Sequence, residues 1–298
     1  MSAKNVKIAG APISWGVCEV PNWGHQMTPD RVLTEMAELG LGATEFGPLG
    51  FLPVEPADRA AALAKHGMEA VGGFFPIVIH NPDFDPIPAV LEELKSYAAS
   101  GAKTLVLSAE TGLEGYDTKR PDLDEAGWAT VFKNLERIKD AAAAQGVTTV
   151  LHPHVGTMVE TEADVMQVLN GSTIKFCLDT GHMIIGGTDP VAFAKNHADR
   201  VAHSHLKDVN LAVADRVQSG EITYYQGILE GMYVPLGTGD VDVRSIVRSL
   251  IQADYDGWFV LEQDNVINAE PGEGAGPFAD AKASVEFIRA VAAELAAE

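Results

Sequence analysis

The chain has little cysteine and little positive charge, and each shortage removes a class of function. Cys18 and Cys177 are the two cysteines among 298 residues, and neither belongs to a Cys-x-x-Cys pair. A disulfide framework and a thiolate zinc site are therefore not indicated. Cys177, inside an apolar run, reads as a small core residue. Lys and Arg number 21 against 42 Asp and Glu, a formal net charge of -21. Nucleic-acid affinity comes largely from Lys and Arg contacts to phosphate, so a nucleic-acid partner is disfavoured, and with it an abasic-site endonuclease. No apolar run approaches the roughly 20 residues of a membrane span, and the first residues lack the apolar core of a signal peptide. No membrane partner and a cytoplasmic location are expected. A nucleotide-binding turn is missing as well, because Val71-Gly72-Gly73 does not fit Gly-x-Gly-x-x-Gly.

What is present is length, apolar content and a regular alternation. A chain of this size with 46% hydrophobic residues can form one α/β barrel, which needs roughly 250 residues. Short β-type runs at 6–13, 43–46, 70–75, 104–108, 148–152, 174–179, 201–205 and 258–262 make eight candidate strands. Amphipathic runs at 28–39, 57–65, 89–99, 125–145, 162–169, 190–196, 243–253 and 279–296 supply the helices between and after them. No Pro/Ser-rich or charged linker interrupts this order, so the expected architecture is a closed (β/α)8 TIM barrel in a single domain, residues 1–298. One irregular piece, 207–242, separates the seventh strand from its helix. It carries Tyr224, Tyr225 and Tyr233 and reads as an inserted loop or lid.

Four strands end in a residue that binds metals: His152, Asp179, His205 and Glu262. Side chains at the C-terminal ends of parallel barrel strands converge on one mouth, and this mixture of nitrogen and oxygen donors suits Mn²⁺, Co²⁺, Fe²⁺ or Zn²⁺. Strand alternation puts His154 on the face of His152, and His203 on the face of His205. His152 and His205 are the chosen ligands because they stand in register with the turns that follow, and His154 is the main competitor. His182, just after Asp179, can turn back over the metal as a substrate ligand or proton donor, or act as a cap or supporting group. Lys207 can polarise a substrate oxygen, neutralise an enolate, or pair with Asp208 or another carboxylate. Glu45 can hold a substrate hydroxyl, and Trp15 offers an aromatic face to a ring, with Trp23 in support, although either indole serves equally as core.

These residues resemble the xylose isomerase-like superfamily of sugar isomerases, epimerases and dehydratases along nearly the whole chain. The matching segments are Asp179 with His182, His205 with Leu206-Lys207-Asp208, Glu262 with Gln263-Asp264, and the Gly237-Thr238-Gly239-Asp240 turn. Closer signatures are Ala11-Pro12-Ile13-Ser14-Trp15-Gly16, Ala43-Thr44-Glu45-Phe46-Gly47-Pro48 and His152-Pro153-His154-Val155-Gly156-Thr157, which look like those of inosose dehydratases. The resemblance implies one divalent metal ion, Mn²⁺ or Co²⁺ before Zn²⁺, Fe²⁺ or Mg²⁺, and loss of water from 2-keto-myo-inositol in inositol catabolism. It also implies a homo-oligomer, a dimer or tetramer. An inosose or ketose isomerase or epimerase is the alternative, and a non-catalytic sugar-binding barrel a remoter one. Where epimerases of the superfamily use two opposed carboxylates, this chain has His152. That asymmetry suits a dehydratase, with Glu262 as base, His182 or His154 as acid, and Lys207 as a substitute base.

Overall fold

The computed structural model describes residues 6–113, 115 and 117–298. Its barrel strands are β1 (Ile8–Gly10), β2 (Ala43–Thr44), β3 in two pieces (Glu69–Ala70 and Gly72–Ile77), β4 (Thr104–Ala109), β5 (Thr148–Leu151), β6 (Lys175–Asp179), β7 (Val201–Leu206) and β8 (Phe259–Leu261). Every neighbouring pair is parallel, and β8 pairs back onto β1. The two pieces of β3 lie at the two ends of the hydrogen-bonded order, the first on β2 and the second on β4. They are one stretch of chain, so the ring closes through it.

That closure depends on Gly72. The carbonyl of Val71 accepts from both Lys103 N (3.1 Å) and Thr104 N (3.2 Å), which draws the chain from β2 towards β4. A Cβ on Gly72 would stand 1.8 Å from the Thr104 carbonyl oxygen.

Alternation along the strands sorts the core into two parts. Ala9, Ala11, Ala43, Val71 and Val260 form one small cluster, and Val106, Val150 and Cys177 another. These small residues fill the barrel interior, while larger ones such as Leu105, Leu107, Leu151, Phe176 and Leu178 join the main core beneath the helices. Two residues on from Val150, Cys177, His203 and Val260 come His152, Asp179, His205 and Glu262. A period of two therefore points all four into the barrel mouth.

Two sequence expectations change. The first strand stops at Gly10, because Pro12–Trp15 forms a 3₁₀ turn closed by Gly16 in the left-handed region (φ 76°). The 207–242 segment is ordered secondary structure: helices Leu211–Gln218 and Tyr224–Leu229, between short antiparallel strands Asp208–Val209 and Tyr233–Val234. A capping box between Thr223 and Gln226 starts the second helix. Among the described residues no helix is long and apolar enough to cross a membrane.

Gly72→Ala should lower the unfolding free energy by about 2 kcal/mol or more, since the methyl group meets backbone and not a movable side chain. Denaturant unfolding followed by circular dichroism measures it, and an unchanged midpoint would contradict this account of closure.

Candidate active site

Asp179 is held first by backbone. It ends β6 and caps the helix Thr180–Ile185, its Oδ1 accepting from Gly181 N (2.9 Å) and His182 N (2.8 Å). Its other oxygen, Oδ2, faces His152 Nε2 at 3.2 Å, His205 Nδ1 at 3.5 Å and Lys207 Nζ at 3.8 Å. Burial alone would raise its pKa, but the Lys207 ammonium and the hydrogen bond with His152 hold it well below the ordinary value.

His205 is oriented from behind. Its Nε2 lies 2.9 Å from Glu45 Oε1, the same oxygen that receives His203 Nε2 at 2.7 Å. Donation to Glu45 leaves Nδ1 of the neutral ring as a lone pair, and Nδ1 faces Asp179 Oδ2 and touches Glu262 Oε2. The contact with Glu262 lacks hydrogen-bond alignment, and neither atom has another partner. A lone pair against two carboxylates is unfavourable unless a proton or a metal ion stands between them. Burial works against the imidazolium, yet the acidic groups around it, Cys177, Glu262 and Glu45 foremost, raise the His205 pKa well above the histidine norm.

Lys207 supplies the nearest fixed positive charge. It is 1% exposed, with Nζ 2.6 Å from Asp264 Oδ1 and 2.9 Å from Glu262 Oε1, above the Tyr233 ring. Burial opposes its charge, but Asp264, Glu262 and Asp179 prevail and raise its pKa, so it stays an ammonium. This corrects the expectation of Lys207 as a substitute base. Of the two pairings open to it, Lys207 takes the other carboxylates and not Asp208, whose carboxylate accepts from Gly237 N, Gly239 N and Val241 N and so fixes the turn that follows. Tyr224 donates to Asp264 Oδ2 at 2.8 Å and shares a 2.8 Å contact with the Tyr233 hydroxyl. Both tyrosines stand out in the sequence, but nothing near them in the chain points to this role. Asp264 is detectable in principle, as the residue two beyond Glu262 on the same alternating face.

The remaining histidines form a stack. His154 and His182 rings lie 3.7 Å apart, and Val155 links them: its carbonyl accepts from His154 Nδ1 (2.7 Å), its N–H donates to His182 Nδ1 (3.4 Å). In the neutral rings this puts the His182 proton on Nε2 and leaves His154 Nε2 as acceptor. Burial, then neighbouring positive charge, lowers both, His154 to about 3.

A cavity of about 360 Å³ opens above this floor, and Glu262, His152, His154, Glu45 and Asp264 are among its lining residues. Trp15 is not. Its ring is fully buried and its Nε1 donates to Glu35 Oε2 at 2.7 Å, because the 3₁₀ turn swings it behind the strand ends. Trp23 lines the cavity instead, fixed through Nε1 to the Asn265 carbonyl and edge-on to Tyr225.

The donor set fits a divalent metal ion. Ligand atoms of Asp179, His205 and Glu262 lie within 4.8 Å of one another, as do those of His152, Asp179 and His182. Four buried polar atoms there, His152 Nδ1, His182 Nε2, His205 Nδ1 and Glu262 Oε2, lack hydrogen-bond partners. His154 belongs to neither group.

Glu262 gives a pH signature. Burial would raise its pKa, but His205 and Lys207 lower it from 4.5 to about 2. A depressed folded-state value contributes stability above the unfolded value, and that contribution is lost as pH falls through the folded one. Metal-free protein should therefore lose stability more steeply between pH 4.5 and 2 than Glu262→Gln does. Parallel curves from denaturant unfolding would contradict it.

Comparison with known proteins agrees with this architecture. The model of the family described as xylose isomerase-like TIM barrel matches residues 33–291. The chain is 31% identical over 299 residues to an inosose dehydratase of Geobacillus kaustophilus (strain HTA426), covering 95% of this chain and 93% of that one. It is 31% identical over 301 residues to the rhizopine catabolism protein MocC of Rhizobium meliloti, covering 98% and 90%. Among solved structures, an IOLI protein with a bound zinc atom superposes with a TM-score of 0.71 at 14% identity, covering 97% of this chain and 99% of that one. An L-ribulose 3-epimerase gives 0.70 at 17% identity, covering 98% and 95%. These two share the fold. Together, the span of the family match and the near full-length relatives show that the chain belongs to the xylose isomerase-like TIM-barrel family.

Proposed function

We propose that the protein is a metal-dependent dehydratase that removes water from 2-keto-myo-inositol. The observation that carries this reading is the asymmetry of the groups at the cavity floor. Glu262 stands there as an ionised carboxylate, and on the β5 side stand the imidazoles of His152 and His154. A 3-epimerase mechanism with two opposed carboxylates has no second partner at position 152. The near full-length kinship with proteins named inosose dehydratase supports the substrate class.

His152, Asp179, His205 and Glu262 would hold the ion, Mn²⁺ or Co²⁺ in first place, with Glu45 fixing the His205 tautomer from behind. A bound divalent ion supplies Lewis acidity towards the ketone oxygen and the charge that develops on it. Glu262 accepts the proton from the carbon next to the ketone. The neutral His182 donates a hydrogen bond from Nε2 to the departing hydroxyl, the proton taken up by Glu262 leaves with that hydroxyl as water, and His154 Nε2 orients the hydroxyl as an acceptor. The Lys207 ammonium, inaccessible to bulk water, offsets the negative charge shared by Glu262 and Asp264.

An isomerase would use the same proton abstraction and return the proton to a neighbouring carbon, so product mass separates the two. With Mn²⁺ and 2-keto-myo-inositol, mass spectrometry should find a product lighter by one water. Glu262→Gln should lower kcat by about 10²-fold or more, and slow deuterium exchange at the α-carbon equally. A product of unchanged mass would establish the isomerase, and near-normal exchange in Glu262→Gln would remove Glu262 as the base.

A further inference from the structure

The cavity does not end at the barrel mouth. It continues over the rim at β3, where Phe74 faces inward against His152 and His154 while Phe75 turns to the helix side. There the lining residues are Phe46, Leu49, Leu52, Phe75, Arg59 and Glu93, from the loop after β2 and the helices Pro56–Lys65 and Ile87–Ser100. We propose that this outer arm is a subsite for a second polyhydroxylated group, so that the protein accepts keto-cyclitols bearing a sugar-like substituent as well as the bare ring. The proposal rests on the keto-inositol reading of the inner site.

Arg59 carries it. The residue is only 8% exposed, yet among the described residues its guanidinium makes a single hydrogen bond, Nε to the Pro53 carbonyl at 3.0 Å. No carboxylate of the described residues lies within ion-pair distance, which leaves both terminal nitrogens with donors to place. Its flat face rests on the Phe46 ring, 4.9 Å from guanidinium carbon to ring centre, so the fork is held in one orientation. Its terminal nitrogens are not among the buried atoms that lack partners, so they face the solvent of the cavity, where a ligand group that accepts their hydrogen bonds can take the place of water.

Glu93 decides what that group is. It is half-buried in the same arm, close enough that burial raises its pKa and Arg59 draws it partly back, yet the two make no contact. A carboxylate or phosphate on the ligand would meet Arg59 well but face Glu93 with like charge. A pair of hydroxyls satisfies both, accepting from the guanidinium and donating to the carboxylate. The apolar faces of Phe75 and Leu52 suit the CH side of a sugar ring. A single ring seated beside Glu262 and His152 lies on the other face of β3 and leaves Arg59 and Glu93 without partners.

The test is a binding ratio on the Mn²⁺-loaded protein, measured by calorimetry with two unreactive probes, myo-inositol and galactinol, its galactosyl ether. Galactinol should bind about tenfold tighter than myo-inositol, which is about 1.4 kcal/mol. In Arg59→Ala the ratio should fall to about one. Glu93→Ala, on a half-exposed helix face, should cut the ratio several-fold, and it serves as the test in its own right if Arg59→Ala fails to fold. A wild-type ratio of one or below, or an advantage that survives both substitutions, would overturn the subsite. Absence of dehydration with 2-keto-myo-inositol would instead fault the inner-site reading, and these binding ratios would stand apart from it.

Discussion

The structure turns on a concentration of buried negative charge that its own cations do not fully match. Asp179, Glu262, Asp264 and Glu45 stand around the barrel mouth, and among them Lys207 is the one ammonium of the described residues. Backbone amides take one side of Asp179, and two imidazoles take Glu45. What is left is the point between Asp179 Oδ2, His205 Nδ1 and Glu262 Oε2, where either a proton on His205 or a metal ion has to stand between the acceptors. A buried constellation of this kind is stable only with a cation in it, a proton or a metal ion.

The surrounding fold holds that arrangement from several sides. Strand alternation aims the four side chains, and the short helix after β6 caps Asp179 with its first amides. Gly181 lets that helix close onto Lys207, since a Cβ there would come within 2.8 Å of the lysine side chain. The segment after β7 brings Tyr224 and Tyr233 over Asp264, which fixes the partner of Lys207. Asp208, next to Lys207 in the chain and one of the partners open to it, anchors the glycine turn beyond it.

Much of this was legible in the sequence because it depends on local periodicity. Strand ends, helix starts and the inward set at 152, 179, 205 and 262 all follow from patterns a few residues long. What escaped depends on contacts between distant residues or on single backbone bends. Glu45 reads as a substrate group, and its further hold on His203 and His205, about 160 residues away, shows only in the folded chain. Trp15 reads as a strand-end platform until the turn begun at Pro12 rotates it towards Glu35. The break in β3 at Val71 and the need for Gly72 after it are likewise invisible in a run of apolar residues, because they answer to Thr104 on the neighbouring strand.

If the mouth of the barrel is built around one divalent cation, elemental analysis of protein equilibrated with Mn²⁺ or Co²⁺ and freed of excess ion will show it, with wild type beside Asp179→Asn. The wild type should keep one equivalent per chain and the variant substantially less, with both folded. A folded wild type that retains no metal, or a variant that retains a full equivalent, would contradict it.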